Sequence, residues 1–312
     1  MEPLIKFKNL TFERPEGRIL NFAEDKEGRI LISRYIEYDH YEFQLYEKSY
    51  DYPGYYVLLD RIMVRLRYYN GLIYFDGTFV AWTDSIGGHI CTITYSDKEV
   101  TYTFEEKDVF GLWCEKSKFA LKEIKLDPSI PFTFDEYSVQ QMRFDGEGNI
   151  LILTYLREDG QEIWKCRINE GILSGDIFHV FNSADIEDFL ITDNELFIVY
   201  KDRISSWTGE YEKILSSLDS GTYYSAIMMD NYLYFAFKTE GNLHNGQKYG
   251  HSRLCRMRLG DSKFEQIDKN FCIFDHYTPH NLRCIDGRLG YFNDDEEIIY
   301  VEKVKPVKAV NF

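Results

Sequence analysis

The chain has 312 residues and a formal net charge of -16 at neutral pH, with 36 Lys and Arg against 52 Asp and Glu. Because nucleic-acid affinity comes largely from cationic side chains that release counterions, this charge argues against direct binding of DNA or RNA. No apolar run approaches the roughly eighteen residues needed to cross a bilayer. The charged first residues also lack the apolar core of a secretory signal. We therefore expect a cytoplasmic protein that does not enter a membrane.

The composition predicts β-strands. Aromatic residues make up 17% of the chain, with 25 Tyr and 23 Phe, and such side chains pack well on a pleated surface. The six cysteines are scattered without a C-x-x-C pair, and most lie in apolar runs, so we expect reduced core thiols.

One short unit recurs along the chain: an apolar strand, a turn built on Asp or Asn, and a second apolar strand. The stretch RFDGEGNILILTY is one copy. Tight hairpins require positive φ in the turn, which Gly, Asn and Asp tolerate, so each copy is predicted to be a β-hairpin. Seven copies are predicted, with turns at Asp25, Asn70, Asp97, Asp145, Asp193, Asp230 and Asp286.

Two further strand candidates follow most hairpins, and four antiparallel strands per repeat resemble the blade of a β-propeller. The prediction is an all-β, seven-bladed propeller in a single domain. The blades are expected at about 18–60, 61–95, 96–126, 138–182, 186–218, 223–268 and 280–304, and residues 3–12 are expected to complete the last blade. Because Asn70 and Asp97 are only 27 residues apart, six blades also fit.

The resemblance is to the propeller architecture and not to one family. The GH and WD pairing of WD40 blades and the paired glycines of kelch repeats are both absent. No phosphate-binding loop, zinc-protease motif or nucleophile elbow occurs either. Common sequence motifs therefore do not assign an activity.

Histidines concentrate in two neighbouring loops on the propeller's top face, the face opposite the predicted hairpin turns. His244 and His251 belong to the loop at 239–252 of the sixth predicted blade. Asp275, His276 and His280 belong to the entry into the seventh, at 269–281. Because the ring closes, the same assignment places Asp39, His40, Asp294 and Asp295 on the top face close to these two loops.

Imidazole and carboxylate together bind divalent transition metals, so His244, His251, His276 and His280 are candidate ligands of a divalent metal. Without metal, His276 or His280 beside Asp275 is a candidate general base. The candidate ligand-binding residues are His244, His251, Asp39, His40, Asp294 and Asp295. Long polar loops also gather His, Asn and Gly for solubility and turn formation, so a plain surface is the alternative.

Two functions follow as hypotheses. The first is a binding or scaffold protein whose top face engages a protein partner or a small polar ligand. The second is a metal-assisted lyase or hydrolase that acts on a small polar or sugar substrate through the His and carboxylate cluster. A propeller supports both kinds of function, so the fold alone does not choose between them.

Overall fold

The structure is a computed structural model. It describes residues 6–8, 18–37, 40–51, 55–66, 69–83, 89–101, 111–112, 116–128, 137–156, 160–181, 185–192, 195–209, 211–219, 221–239, 243–244, 247–248, 251–259, 261, 263–268, 282–285, 287–293 and 298–301. These residues form strands and turns and no helix, so no membrane-spanning helix occurs among them.

The first half of the chain forms fifteen strands. They are β1 (Lys6–Lys8), β2 (Arg18–Glu24), β3 (Ile30–Glu37), β4 (His40–Lys48), β5 (Tyr55–Arg65), β6 (Tyr69–Phe75), β7 (Thr78–Thr83), β8 (Ile90–Thr101), β9 (Gly111–Leu112), β10 (Lys116–Glu123), β11 (Lys125–Leu126), β12 (Tyr137–Phe144), β13 (Ile150–Leu156), β14 (Gly160–Asn169) and β15 (Ile172–Phe181).

The second half continues the pattern. Its strands are β16 (Ile186–Ile191), β17 (Leu196–Tyr200), β18 (Arg203–Thr208), β19 (Tyr211–Ser217), β20 (Thr222–Met229), β21 (Tyr232–Thr239), β22 (Leu243–His244), β23 (Gln247–Lys248), β24 (His251–Arg258), β25 (Phe264–Asp268), β26 (Arg283–Ile285), β27 (Arg288–Asn293) and β28 (Ile298–Val301).

These strands build a β-propeller, as the sequence predicted. Five blades each contain four antiparallel strands: β2 to β5, then β6, β7, β8 and β10, then β12 to β15, then β16 to β19, then β20, β21, β24 and β25. A sixth sheet contains β26, β27 and β28. The first strands of successive sheets contact one another in order, and β26 contacts β2, which closes the ring.

The apolar core is divided among the six junctions between blades. Each of six buried clusters combines side chains from two consecutive sheets, including the junction between the sixth sheet and the first blade, where Ile285 joins Phe22 and Ile32. Cys91, Cys166 and Cys255 are buried thiols without disulfides. Burial raises the pKa of Cys91 and Cys166 to about 12 and that of Cys255 to about 11, so these thiols stay protonated and unreactive.

The count of seven blades is not confirmed, because one sheet spans the two segments 61–95 and 96–126. Asn70 lies inside β6 and Asp97 lies inside β8, so neither residue forms a hairpin turn. The β6–β7 turn is instead at Asp76 and Gly77, with φ of 42° and 82°. Gly71 is required for a different reason: a Cβ there would lie 2.0 Å from Trp82 Cζ2.

The N-terminal strand also differs from the prediction. Lys6–Lys8 pairs in parallel with Tyr55–Val57 of β5, on the outside of the first blade. The strand also lies against β28 of the sixth sheet. Lys6–Lys8 therefore lies at the junction between the first and sixth sheets, but its backbone hydrogen bonds are to the first sheet.

Two of the predicted turns share one hydrogen-bonded form. In the D-K-E-G-R turn, Asp25 Oδ1 accepts bonds from the backbone N–H groups of Glu27 and Arg29, at 2.9 and 2.8 Å. In the D-G-E-G-N turn, Asp145 Oδ1 accepts hydrogen bonds from the backbone N–H groups of Glu147 and Asn149, at 2.8 and 3.1 Å. Asp230 and its neighbour Asn231 both have positive φ, as in a two-residue hairpin loop. Asp193 and Asp286 lie outside the described residues.

A polar ring joins the innermost strands of the blades. Five of these strands carry a bulge at the same level, and the residue after each bulge is small or polar: Asn21, Gly71, Gln141, Asp188 and Ser225. Asn21 Nδ2 donates to Asn70 O at 3.1 Å. Asn70 Nδ2 then donates to Gln140 O at 3.0 Å, so side-chain amides bridge the first three blades.

Asp188 is the most heavily bonded member of this ring. Its fully buried carboxylate accepts bonds from Gln141 Nε2 at 3.1 Å and from the backbone N–H of Ala226, also at 3.1 Å. Arg143 donates to both of its oxygens, and Arg143 Nη2 also donates to Ala226 O at 3.1 Å. One ion pair therefore connects the third, fourth and fifth blades.

We expect Gly71→Ala to lower the free energy of unfolding by about 1–3 kcal/mol, because the added methyl overlaps the Trp82 ring. Urea unfolding measures the effect. The matched test is a double-mutant cycle with Trp82→Leu, in which Gly71→Ala should cost less once the indole is gone. An unchanged cost in that background would contradict this explanation.

We expect Asp188→Asn to destabilise the protein by about 3–5 kcal/mol, because it leaves the Arg143 guanidinium without a counter-charge inside the ring. Chemical denaturation gives the value. The exposed Asp261→Asn serves as the control and should change stability by less than about 0.5 kcal/mol. Equal effects of the two substitutions would show that the ion pair does not stabilise the ring.

Candidate functional site

The predicted top-face cluster lies mostly outside the described residues. Asp275, His276, His280, Asp39, Asp294 and Asp295 all belong to undescribed segments. His244 belongs to β22, which pairs with β23, and His251 begins β24 opposite Thr239. The side chains of these two histidines are not described. The metal site and the general base therefore stay predictions.

His40 is the only predicted site residue with a described side chain. It begins β4, where its backbone lies opposite Glu37 on one side and Arg65 on the other, and it is half-buried. Within the described ranges, no group of three or more His, Cys, Asp and Glu is arranged to hold a metal ion.

The described surface has a different notable feature, which is a concentration of exposed apolar side chains on two outer strands. Ten large hydrophobic residues are exposed in the described part of the chain, and six of them belong to β15 and β19, the fourth strands of the third and fourth blades. These six are Ile172, Ile177, Phe178, Val180, Tyr211 and Ile214. Outer strands elsewhere contribute far fewer, so this sector is distinct from the rest of the described surface.

A groove runs between these two blades, with a cavity of about 390 Å³. Phe178 and His179 of β15 line one wall and Trp207 of β18 lines the other. Ser205 and Trp207 are two residues apart, so they share a face of the fourth blade. Ile214 lies opposite Ser205 in the antiparallel ladder and therefore extends the same wall outward, with 59% of its surface exposed.

Aromatic packing forms the floor of the groove. The His179 ring lies 4.4 Å from the Phe181 ring and 5.2 Å from the Trp207 ring, measured between centroids. Burial lowers the pKa of His179, so the imidazole is neutral at physiological pH. The neutral ring then behaves as part of an apolar surface.

One end of the groove is acidic. Asp145, Glu147 and Glu195 line it, together with a single cation, Lys165. Lys165 Nζ lies 3.2 Å from Asp145 Oδ2 and 3.4 Å from Glu147 Oε2, so the ammonium is shared. Burial raises the pKa of Asp145, but bonds from Asn149, Glu147 and Lys165 outweigh it and lower the pKa overall. Three carboxylates against one ammonium leave this end negatively charged.

The sequence contains a weak signal for this groove that does not belong to any common motif. The segment GDIFHVF places four large apolar residues and a His in an outer strand, where a propeller normally turns every second side chain toward water. Ile163 and Trp164 lie opposite His179 and Ile177, and Phe178 is the extra residue at a bulge. The bulge interrupts the alternation of side chains between the two faces of the strand. The alternating pattern of apolar and polar residues in a sequence therefore cannot locate it.

Comparison with known proteins does not assign a family. No family model matches the chain, and no curated protein matches its sequence. A solved protein from Lactobacillus plantarum shares 7% identity with a TM-score of 0.48, over 83% of this chain and 86% of that one. The WD40 β-propeller domain of Doa1 shares 10% identity with a TM-score of 0.45, over 94% and 95%. A putative 6-phosphogluconolactonase from Bacteroides fragilis shares 10% with a TM-score of 0.46, over 91% and 82%.

We expect the neutral His179 to make stability depend on pH. Its pKa is lowered in the folded protein, so below the ordinary histidine value of about 6.5 the unfolded chain binds a proton that the native state resists. Stability should therefore fall as pH decreases through that range. His179→Phe keeps an aromatic ring and removes the titration.

The measurement is the free energy of unfolding of both proteins at pH 7 and pH 5.5. The wild type should lose more stability between the two pH values than His179→Phe does. Equal losses would show that the imidazole is not held neutral in the groove.

Proposed function

We propose that this protein is a binding propeller, and that the groove between its third and fourth blades holds an extended segment of a protein partner that carries both apolar and basic side chains. The observation that carries the proposal is the groove itself, which is lined by the exposed Phe178 and has the exposed Ile214 on the same face of the fourth blade as Trp207. The binding role agrees with the first sequence hypothesis, while the surface differs from the predicted top face.

The apolar part of the proposal rests on exposure and position. Phe178 lines the groove on the third blade, and Ile214 lies on the face of the fourth blade that contains Trp207; 41% and 59% of their surfaces are exposed. Each would lose further contact with water if a side chain from a partner entered between them, at about 25 cal/mol per Å² of apolar area. Exposed apolar side chains at a groove are a feature of interaction sites in soluble proteins.

The basic part of the proposal rests on charge. Asp145, Glu147 and Glu195 exceed the single Lys165 at one end of the groove, and the whole chain carries a net charge of -16. Such a field attracts cationic partners, speeds their association and disfavours acidic ones. A segment with Lys or Arg next to apolar residues matches both ends of the groove.

The top-face loops that contain His244, His251, His276 and His280 stay a predicted second surface. A groove partner and a top-face partner would use different faces of the ring, so the two sites are compatible. A scaffold role requires at least two such surfaces, and the groove supplies one.

The test is selection from a random peptide library displayed on phage, with the full chain as the immobilised target. We expect enriched peptides to combine Lys or Arg with large apolar residues. Synthetic copies, titrated by fluorescence anisotropy, should bind the Phe178→Ser, Ile214→Ser double variant at least about tenfold more weakly than the wild type. Binding should also weaken as salt increases, because part of the attraction is electrostatic.

Two control variants make the result specific. Tyr50→Ser removes a 97% exposed aromatic residue from the first blade and should leave affinity unchanged. Glu147→Lys reverses a charge at the acidic end and should weaken the binding of basic peptides. If no peptide is enriched, or if the enriched peptides bind the double variant as well as the wild type, the groove is not the binding surface.

A further inference from the structure

The central channel contains a second cavity, built equally by all six sheets. It has a volume of about 390 Å³, and each innermost strand contributes two consecutive residues. The lining residues are Ala23, Glu24, Ile73, Tyr74, Arg143, Phe144, Leu190, Ile191, Ile227, Met228, Arg283 and Cys284. The cavity lies at the ends of these strands that lead into the hairpin turns, so it is on the face opposite the predicted histidine loops.

Arg283 is a buried cation with incomplete hydrogen bonding. Only 8% of its surface is exposed. Its Nη1 donates to Leu282 O at 2.9 Å, and its Nη2 donates to Asn21 Oδ1 at 3.3 Å. Its Nε–H is buried and has no acceptor in the described part of the chain. Buried polar groups in native proteins are nearly always paired, so this donor indicates a missing acceptor.

The charges around Arg283 do not balance. Asp188 is the carboxylate of the ring, and it is already bonded to Arg143. Burial, and then the like charge of Arg143, lower the pKa of Arg283 well below its ordinary value, although arginine keeps its proton at neutral pH. Within the described part of the chain, Asp188 is the carboxylate that acts on both guanidinium groups, so these three groups carry one excess positive charge.

Glu24 also lines the cavity, but its carboxylate is directed elsewhere. Glu24 Oε1 and Lys48 Nζ both lie within 4 Å of the position that a Cβ on Gly28 would take, at 3.8 and 3.7 Å. The Glu24 carboxylate and the Lys48 ammonium at the end of β4 are therefore both next to the first hairpin turn. Glu24 is not among the charges that shift the pKa of Arg283.

A second buried polar atom without a hydrogen-bond partner in the described residues belongs to the blade next to Arg283. Hydrogen bonds of the polar ring connect the innermost strands at five of the six junctions between neighbouring sheets: β2 and β6, β6 and β12, β12 and β16, β16 and β20, and β26 and β2. The sixth junction is the one between β20 and β26. Among the described residues, six buried side-chain atoms have no hydrogen-bond partner, and two of them, Ser225 Oγ on β20 and Arg283 Nε on β26, belong to the strands of that junction.

The rest of the cavity is largely apolar. Ile73, Leu190, Ile191, Ile227 and Met228 line it beside the two arginines. A ligand that matched both parts would have one anionic group and an apolar body. Carboxylate fits one excess positive charge better than a doubly charged phosphate does, and its geometry matches the guanidinium fork.

We propose that this end of the channel binds a small organic monocarboxylate, whose oxygen accepts the Nε–H bond of Arg283 and whose apolar body lies against Leu190, Ile227 and Met228. The cavity and the groove between the third and fourth blades share Ile191 of β16 and have no other lining residue in common. Either one can exist without the other.

Cys284 provides a direct readout of occupancy, because it lines the same cavity and is exposed. The experiment uses the full chain with Cys114→Ser and Cys272→Ser, and follows alkylation of Cys284 by iodoacetamide, a neutral reagent. The probes are hexanoate, and hexanol as an uncharged molecule with the same body. We expect hexanoate to slow the reaction with saturation at half-protection of about 1 mM, and hexanol to slow it much less.

Two variants test the role of the charge. Arg283→Met should abolish protection by hexanoate. Ile227→Glu leaves Arg283 in place but puts a carboxylate inside the cavity, so the protein should no longer respond to hexanoate. Circular dichroism shows whether Arg283→Met folds. If it does not, Ile227→Glu is the variant that tests whether hexanoate binds in the cavity.

Inorganic phosphate is the third probe, and it separates a carboxylate site from a general anion site. Protection by hexanoate and not by phosphate supports the proposal. An alkylation rate that is unchanged by hexanoate, equal protection by hexanol, or full protection in Ile227→Glu would each overturn it.

Discussion

The buried ion pair between Arg143 and Asp188 is the constraint on which the ring depends. A propeller has no continuous core, and each blade meets its neighbours through a separate apolar cluster, so apolar contact alone does not fix the level at which the inner strands meet. Asp188 accepts bonds from the third, fourth and fifth blades and so sets their relative height. A buried charge tolerates few alternative arrangements, because any shift leaves it unpaired.

The same ring explains the position of the channel cavity. Bulges at one level of five inner strands turn polar side chains toward the neighbouring blade, and the strand residues beyond them surround the channel. Where the ring is complete, its donors and acceptors satisfy one another. At the junction of β20 and β26 they do not, and the unmet donor belongs to a cation. Specificity for an anion would then arise from the incomplete part of a structural network.

The sequence predicted the architecture well, because the hairpin turns depend on local chemistry. Asp25 and Asp145 fold their turns with their own carboxylates, so the D-x-E-G pattern identifies them directly. Asn70 and Gly71 imitate a hairpin turn, but the glycine there makes room for Trp82 and the asparagine bonds to the third blade. Both residues are explained by contacts with residues distant in the sequence. The local sequence pattern therefore cannot distinguish this Asn-Gly pair from a hairpin turn. The groove and the channel site also depend on bulges and on neighbouring blades, so sequence reasoning directed attention to the histidine loops instead.

The bond from Arg283 to Asn21 joins residues 262 positions apart, and it belongs to the seam between the sixth sheet and the first blade. Closing a loop of that length costs conformational entropy on the order of 5 kcal/mol, while neighbouring blades close much shorter loops. We therefore expect the seam to form late in folding, after the central blades have assembled. In the described residues the sixth sheet has three strands to offset that cost, fewer than the other blades, so we expect the ring to open first at this seam.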